Sequence, residues 1–138
     1  LRDSERLPAG EVIAVLNDAH MHECYGGVWR VPEDPSSRLE LLAGPEITAP
    51  ADAMTFLTRY GAGHLVGSAE LVYGGEMALP AALHHAASRS SRPEAIGRIA
   101  AMMSAAGEVV SPELAAPVYV RNRVALTMAE RARGERLQ

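Results

Sequence analysis

The 138-residue sequence has no lysine; all 13 of its basic residues are arginine. That absence excludes the lysine of a phosphate-binding P-loop and any Schiff-base chemistry. Cysteine is almost as scarce. Cys24 alone cannot close a disulfide within the chain, which fits a reducing compartment. Long apolar runs are missing too, since stretches such as Val12 to Leu16 fall far short of the roughly 20 residues that a membrane span needs. The opening Leu1-Arg-Asp-Ser-Glu-Arg-Leu7 carries charges where a secretory leader has its apolar core. A cytoplasmic location, without membrane association, is therefore the expectation. Leu1 is not an initiator methionine, so a segment of a longer protein is expected.

Hydrophobic residues at 48% and charged residues at 22% match a globular domain rather than a disordered chain. One domain spanning residues 1–138, with its own core, is the expectation. The net charge of -4 argues against broad nucleic-acid binding. The tail from Arg121 to Gln138 runs the other way, with five arginines against two glutamates. It reads as the solvated end of a helix.

Val12-Ile-Ala-Val-Leu16, between Pro8-Ala-Gly10 and Asn17-Asp18, reads as a strand buried on both faces. Glu23 to Val31 has the aromatic and β-branched content of a second strand, joined to the first as an antiparallel hairpin. Gly26-Gly27 inside it predicts a bulge or a close backbone approach. Arg38-Leu-Glu-Leu-Leu42 alternates as a third strand, completing a three-stranded meander. After Pro50, the spacing of Ala53, Phe56, Leu57 and Tyr60 predicts an amphipathic helix with Gly61 as its stop. His64 to Ser68 follows as a short strand. Ala69 to Ser90 mixes helical residues with Gly74-Gly75 and Pro80 and gives no firm assignment. Ser91-Arg-Pro-Glu94 has the form of a capping box, opening a helix with Ile96, Ile99, Ala100 and Met103 on one face and Gly107 at its end. Val118-Tyr-Val120 is a short strand or extended segment. The order is that of a mixed-sheet α/β domain of ribonuclease-H-like plan.

Several groups of residues have side chains suited to chemistry. His20 and His22, two apart on an extended segment, would point the same way with Cys24 and grip a metal, with His84 or His85 completing the site. That is the alternative reading: a small metal-dependent hydrolase of glycoprotease-like kind. No recognised ligand spacing accompanies these histidines, and exposed side chains at a polar turn are the commoner case. Cys24 with a histidine would make a nucleophilic pair, although a lone cysteine among apolar neighbours is more often buried and inert. Gly61-Ala-Gly63 and Gly74-Gly75 suit a phosphate less well than they suit helix ends and turns. Glu33-Asp34 sits in a proline-rich turn. Met54, Met102 and Met103 fall on apolar helix faces. Arg121 and Arg123 either clamp a carboxylate or phosphate, or tether the chain end. No catalytic, cofactor-binding or metal-binding residue is assigned.

Two blocks carry a family resemblance. Val12-Ile-Ala-Val-Leu-Asn-Asp-Ala-His-Met-His-Glu-Cys-Tyr25 is similar to an apolar strand ending in Asp-Ala-Arg and, after a turn, Glu-Val-Tyr, with His20 in place of the arginine and Cys24 in place of the valine. Ala116-Pro-Val-Tyr-Val-Arg-Asn-Arg-Val-Ala125 resembles a closing motif Pro-Val-Tyr-Leu-Arg followed by Asn and a Val-Ala pair. Gly44-Pro-Glu-Ile47, Leu65-Val-Gly-Ser68 and the alanine-rich helix Glu94 to Ala106 fall between them in the same order. Together these resemble the second half of the bacterial tRNA threonylcarbamoyladenosine biosynthesis protein TsaB (YeaZ) family. The resemblance implies an actin-like ATPase fold, of which residues 1–138 would be the second, carboxy-terminal lobe without the first. It further implies a non-catalytic accessory subunit that partners TsaD and TsaE, meets tRNA only through the complex, and can form a homodimer when full-length.

Overall fold

The computed structural model of the chain describes residues 7–87, 93–121, 128 and 132–134. Among the described residues, five strands form one mixed sheet in the order β3-β2-β1-β4-β5. They are β1 (Val12–Asp18), β2 (Cys24–Arg30), β3 (Glu40–Thr48), β4 (His64–Gly67) and β5 (His84–Ala87). The first three pair antiparallel. Beside β1, β4 runs parallel, and β5 runs parallel to β4, so the sheet extends beyond a three-stranded meander. Parallel neighbours need a crossover, and α1 (Ala53–Tyr60) and α2 (Ala69–Tyr73) lie in the connections. Helix α3 (Pro93–Ala105) follows β5.

The side-chain period of two divides the sheet into unequal faces. Ala14, Leu16, Cys24, Val28 and Leu65 point to the face covered by α1 and form the core with Ala53, Phe56, Leu57, Ala69 and Met77. Ile13 and Val15 point the other way and are only half-buried. Burial of β1 on both faces, expected from its unbroken apolar run, is therefore corrected. Among the described residues α3 buries none of its side chains, and no second helical layer closes the other face.

The bulge belongs to a different strand from the one expected. Gly26 pairs with Glu46, Val28 with Ala43 and Trp29 with Leu41, so the extra residues lie in β3, one at Gly44-Pro45 and one at Leu42. The close approach at Gly26-Gly27 is present. A Cβ on Gly44 would meet Gly26 O at 2.7 Å, and one on Gly27 would meet the Trp29 ring at 2.5 Å. The bulge also explains why β3 runs to Thr48 rather than ending at Leu42, because its interrupted alternation hid the second half.

Helix α1 ends as its sequence dictates: Gly61 is left-handed at φ 64° and its N–H closes onto Leu57 and Thr58 carbonyls. The stretch from Ala69 resolves into α2, a turn through Gly74-Gly75, and β5. Val118 to Val120 forms no ladder; residues 107–121 make an irregular strap interrupted by a single 3₁₀ turn at Pro112–Leu114. Ser91, Arg92 and Arg123 lie outside the described residues, as do most of the arginine-rich tail's residues. Among the described residues no helix is long and apolar enough to cross a membrane.

Candidate functional site

Strands β1 and β4 end side by side, and in open α/β sheets the crevice beyond the carboxyl ends of parallel strands is where ligands gather. Here that end is locked by side chains. The Asp18 N–H donates to Ser68 Oγ at 3.0 Å, and the Ser68 N–H donates to Asn17 Oδ1 at 3.1 Å. The exchange fastens the last residues of β1 to the start of α2. It requires β4 to approach β1 closely, and Gly67 permits that, with φ 125° and no side chain to strike Leu16 O.

Asp18 is the hub. Its Oδ1 accepts the Tyr73 hydroxyl at 2.8 Å and the His20 N–H at 2.8 Å, while His20 Nδ1 lies 3.4 Å from Oδ2. The Tyr73 hydrogen bond above all, then the His20 N–H, holds the Asp18 carboxyl below its usual range. Conversely, the bond to Asp18 pushes the Tyr73 phenol up to about 12. Replacing Tyr73 by Phe should therefore destabilise the protein at neutral pH. Because the folded pKa of Asp18 is depressed, its contribution is present above the ordinary carboxylate value of about 3.9 and is lost as pH falls below it. Urea midpoints of wild type and Tyr73→Phe should differ most near neutrality and converge in acid; a constant gap would refute the coupling.

The hairpin turn is strained. His20, Met21 and His22 all have positive φ (59°, 54° and 61°), a conformation costing about 1 kcal/mol or more at each non-glycine residue. The turn is closed by Ala19 N–H to Glu23 O at 2.9 Å and Glu23 N–H to His20 O at 3.1 Å. It is buttressed from the far end of the chain. The Arg121 guanidinium donates to the Ala19 carbonyl at 3.2 Å, the His20 carbonyl at 3.4 Å and the Glu23 carboxylate, and lies 6.0 Å over the Tyr25 ring. Of the two roles read for Arg121, the structure supports the tether, with the clamped carboxylate being the chain's own Glu23.

The histidines do not assemble as a metal site. A left-handed turn replaces the extended segment that would have aligned them. His20 is 89% exposed beside Asp18, His22 bonds Glu76 Oε2 at 2.8 Å and sets its ring edge against Tyr73, and Cys24 points into the core. His84 stacks on His64 with ring centroids 5.2 Å apart, and His64 Nε2 lies 3.2 Å from Glu11. That pair is level with Ile13, about 17 Å down the sheet from Asp18, and β5 places His85 level with Ala14, about 13 Å from it. Among the described residues no group of three or more His, Cys, Asp or Glu is disposed to hold a metal. Burial, followed by the Asp18 charge, pushes the Cys24 thiol up to about 11, so little thiolate forms at neutral pH. Asp34 is engaged by Ser36 and Ser37 within its own turn. Gly61-Ala-Gly63 and Gly74-Gly75 serve as helix end and turn.

Sequence reasoning missed Tyr73 and Glu76, which lie in the stretch without a firm assignment, and the pairing of Asn17 with Ser68. A Ser68-Ala-Glu70 start to a short helix was the available signal.

These features define an α/β protein with a mixed sheet and a strand-end site built of hydrogen bonds between its own residues. No family model matches the sequence. A comparison with curated proteins likewise finds no match. The fold is similar to the crystal structure of an uncharacterized protein with similarity to peptidase YeaZ, from Pseudomonas aeruginosa, with a TM-score of 0.61 and 25% sequence identity. The match covers 81% of this chain and 50% of that one, so this chain spans about half of that protein's length.

Proposed function

We propose that the chain is a non-catalytic, scaffold-forming part of a YeaZ-like protein, acting with TsaD and TsaE in tRNA threonylcarbamoyladenosine modification in the cytoplasm. On this reading it is one ribonuclease-H-like lobe of an actin-like fold. The observation that carries the proposal is the meeting of the two sequence blocks that bear the family resemblance. Residues Asp18 to Tyr25 and Pro117 to Arg121 lie far apart in sequence, yet Arg121 joins them at Ala19, His20 and Glu23. The solved relative with similarity to YeaZ supports the same reading. The side chains nearest the strand ends are engaged with one another, which suits a structural role better than a reacting centre.

Affinity purification of the complete protein with TsaD, TsaE and a nucleotide tests the proposal. Stoichiometric association is expected, with no peptide hydrolysis by the isolated protein. Failure to associate in the presence of nucleotide, or peptide hydrolysis lost on replacing His20 and His22 by Ala, would overturn it.

A further inference from the structure

The second face of the sheet carries an apolar row on its antiparallel half. Tyr25 stands opposite Ile47 and Trp29 opposite Leu41. Leu41 is 54% and Tyr25 38% exposed. Beside this row runs the strap, pinned at both ends. At its start the Glu108 carboxylate is bonded by Arg38, just ahead of β3. At its finish Arg121 holds Glu23 and lies over the Tyr25 ring, next to the far end of β3. The anchors sit at opposite ends of that strand, since Glu40 pairs with Arg30 and Thr48 with Cys24.

Between the anchors the strap is nearly unattached. Among the described residues its backbone bonds are those that close its own turn, Leu114 N–H to Ser111 O and Ala115 N–H to Pro112 O. Val109, Val110, Leu114 and Val118 are exposed, and Tyr119 is 81% exposed. A nine-residue strand is about 30 Å long, whereas the thirteen steps from Glu108 to Arg121 can reach about 45 Å. The strap therefore has slack to lie along β3. An open cavity of about 620 Å³ between Ser36–Leu39 and Met102, Ala105 and Ala106 leaves room at the Glu108 end.

We infer that residues 109–120 close as a lid over β2 and β3, laying Val118 and Tyr119 on Tyr25 and Val109 and Val110 on Leu41. Two exposed apolar surfaces held at both ends within reach of each other gain by leaving water together. Pro112 and Pro117 have no N–H to donate, so the lid closes by side-chain packing and not as a sixth strand. The strap then governs access to the apolar face.

Trp29, the single tryptophan, lies on that face beside Leu41 and reports the closure. The test is acrylamide quenching of its selectively excited emission in the full chain. The double variant Val118→Ser with Tyr119→Ser should raise the quenching constant roughly twofold, as expected when a local cover opens. A second pair, Val109→Ser with Val110→Ser, acts at the other end without touching the Arg121 anchor and should shift quenching the same way. Neither variant touches the core, so both should stay folded, with a thermal midpoint lowered only slightly by the loss of the lid's packing. Quenching equal to wild type in both folded variants would overturn the inference.

Discussion

Replacing Gly67 by Ala should cost about 4 kcal/mol or more, a large share of the usual 5–15 kcal/mol stability of a domain. Gly67 lies at φ 125°, where an L side chain is strained in any surroundings. The added Cβ would sit 2.1 Å from Leu16 O and 2.8 Å from Leu16 C. Those atoms belong to the backbone of the central strand and cannot step aside. Strand β4 must instead part from β1, taking with it the two bonds of the Asn17, Asp18 and Ser68 lock, each contributing roughly 1 kcal/mol. Gly75→Ala provides the control. A Cβ there meets nothing within 4 Å, so a change within about 0.5 kcal/mol is expected. Urea unfolding of both variants measures the contrast; similar midpoints would show that the β1–β4 approach is not tight.

Phe56→Ala should destabilise the protein by about 3–5 kcal/mol. Phe56 is 2% exposed on α1 and, with Ala53 and Leu57, packs that helix into the core. Its ring fills the space above Gly26, where an added Cβ would lie 3.0 Å from Cζ, and the Leu16 side chain borders the same space. Tyr60 sets its ring edge-on at 5.5 Å, contributing beyond simple burial. Removing the ring leaves a cavity that neither the strands nor α1 can close without losing their register. Calorimetric unfolding should show the loss directly. Phe56→Leu should recover much of it, because volume is largely kept.

The parts of the fold that were legible in the sequence are those with a local cause. The α1 period and its glycine stop, the β1–β2 hairpin and the β4 run each follow from residues within one element. The parts that were not legible depend on partners distant in the chain. Gly26-Gly27 signals a bulge or a close approach; the approach is there, while the extra residues sit across the ladder in β3, at Leu42 and Gly44-Pro45. The single covered face of β1 depends on which side α1 and α2 take, a matter of connection geometry that an apolar run does not encode. At the candidate site, His20-Met21-His22 suggested a ligating strand. Sequence offers no sign of three left-handed residues in a row, because the turn is held in that shape by an arginine about a hundred positions away. Asp18 was legible only as the end of a strand. Its role as acceptor for Tyr73 required the position of α2.

The Arg121 anchor also sets an order of events during synthesis. The β1–β2 hairpin has only neighbouring residues to bring together and can pair as soon as Arg30 has emerged, long before the C-terminal part of the chain exists. Its tip, however, stays without its guanidinium support until Arg121 has cleared the ribosome. Chains cut short before that point should carry a paired hairpin with an unsettled tip, whose completion waits for a residue made about ninety positions after Arg30.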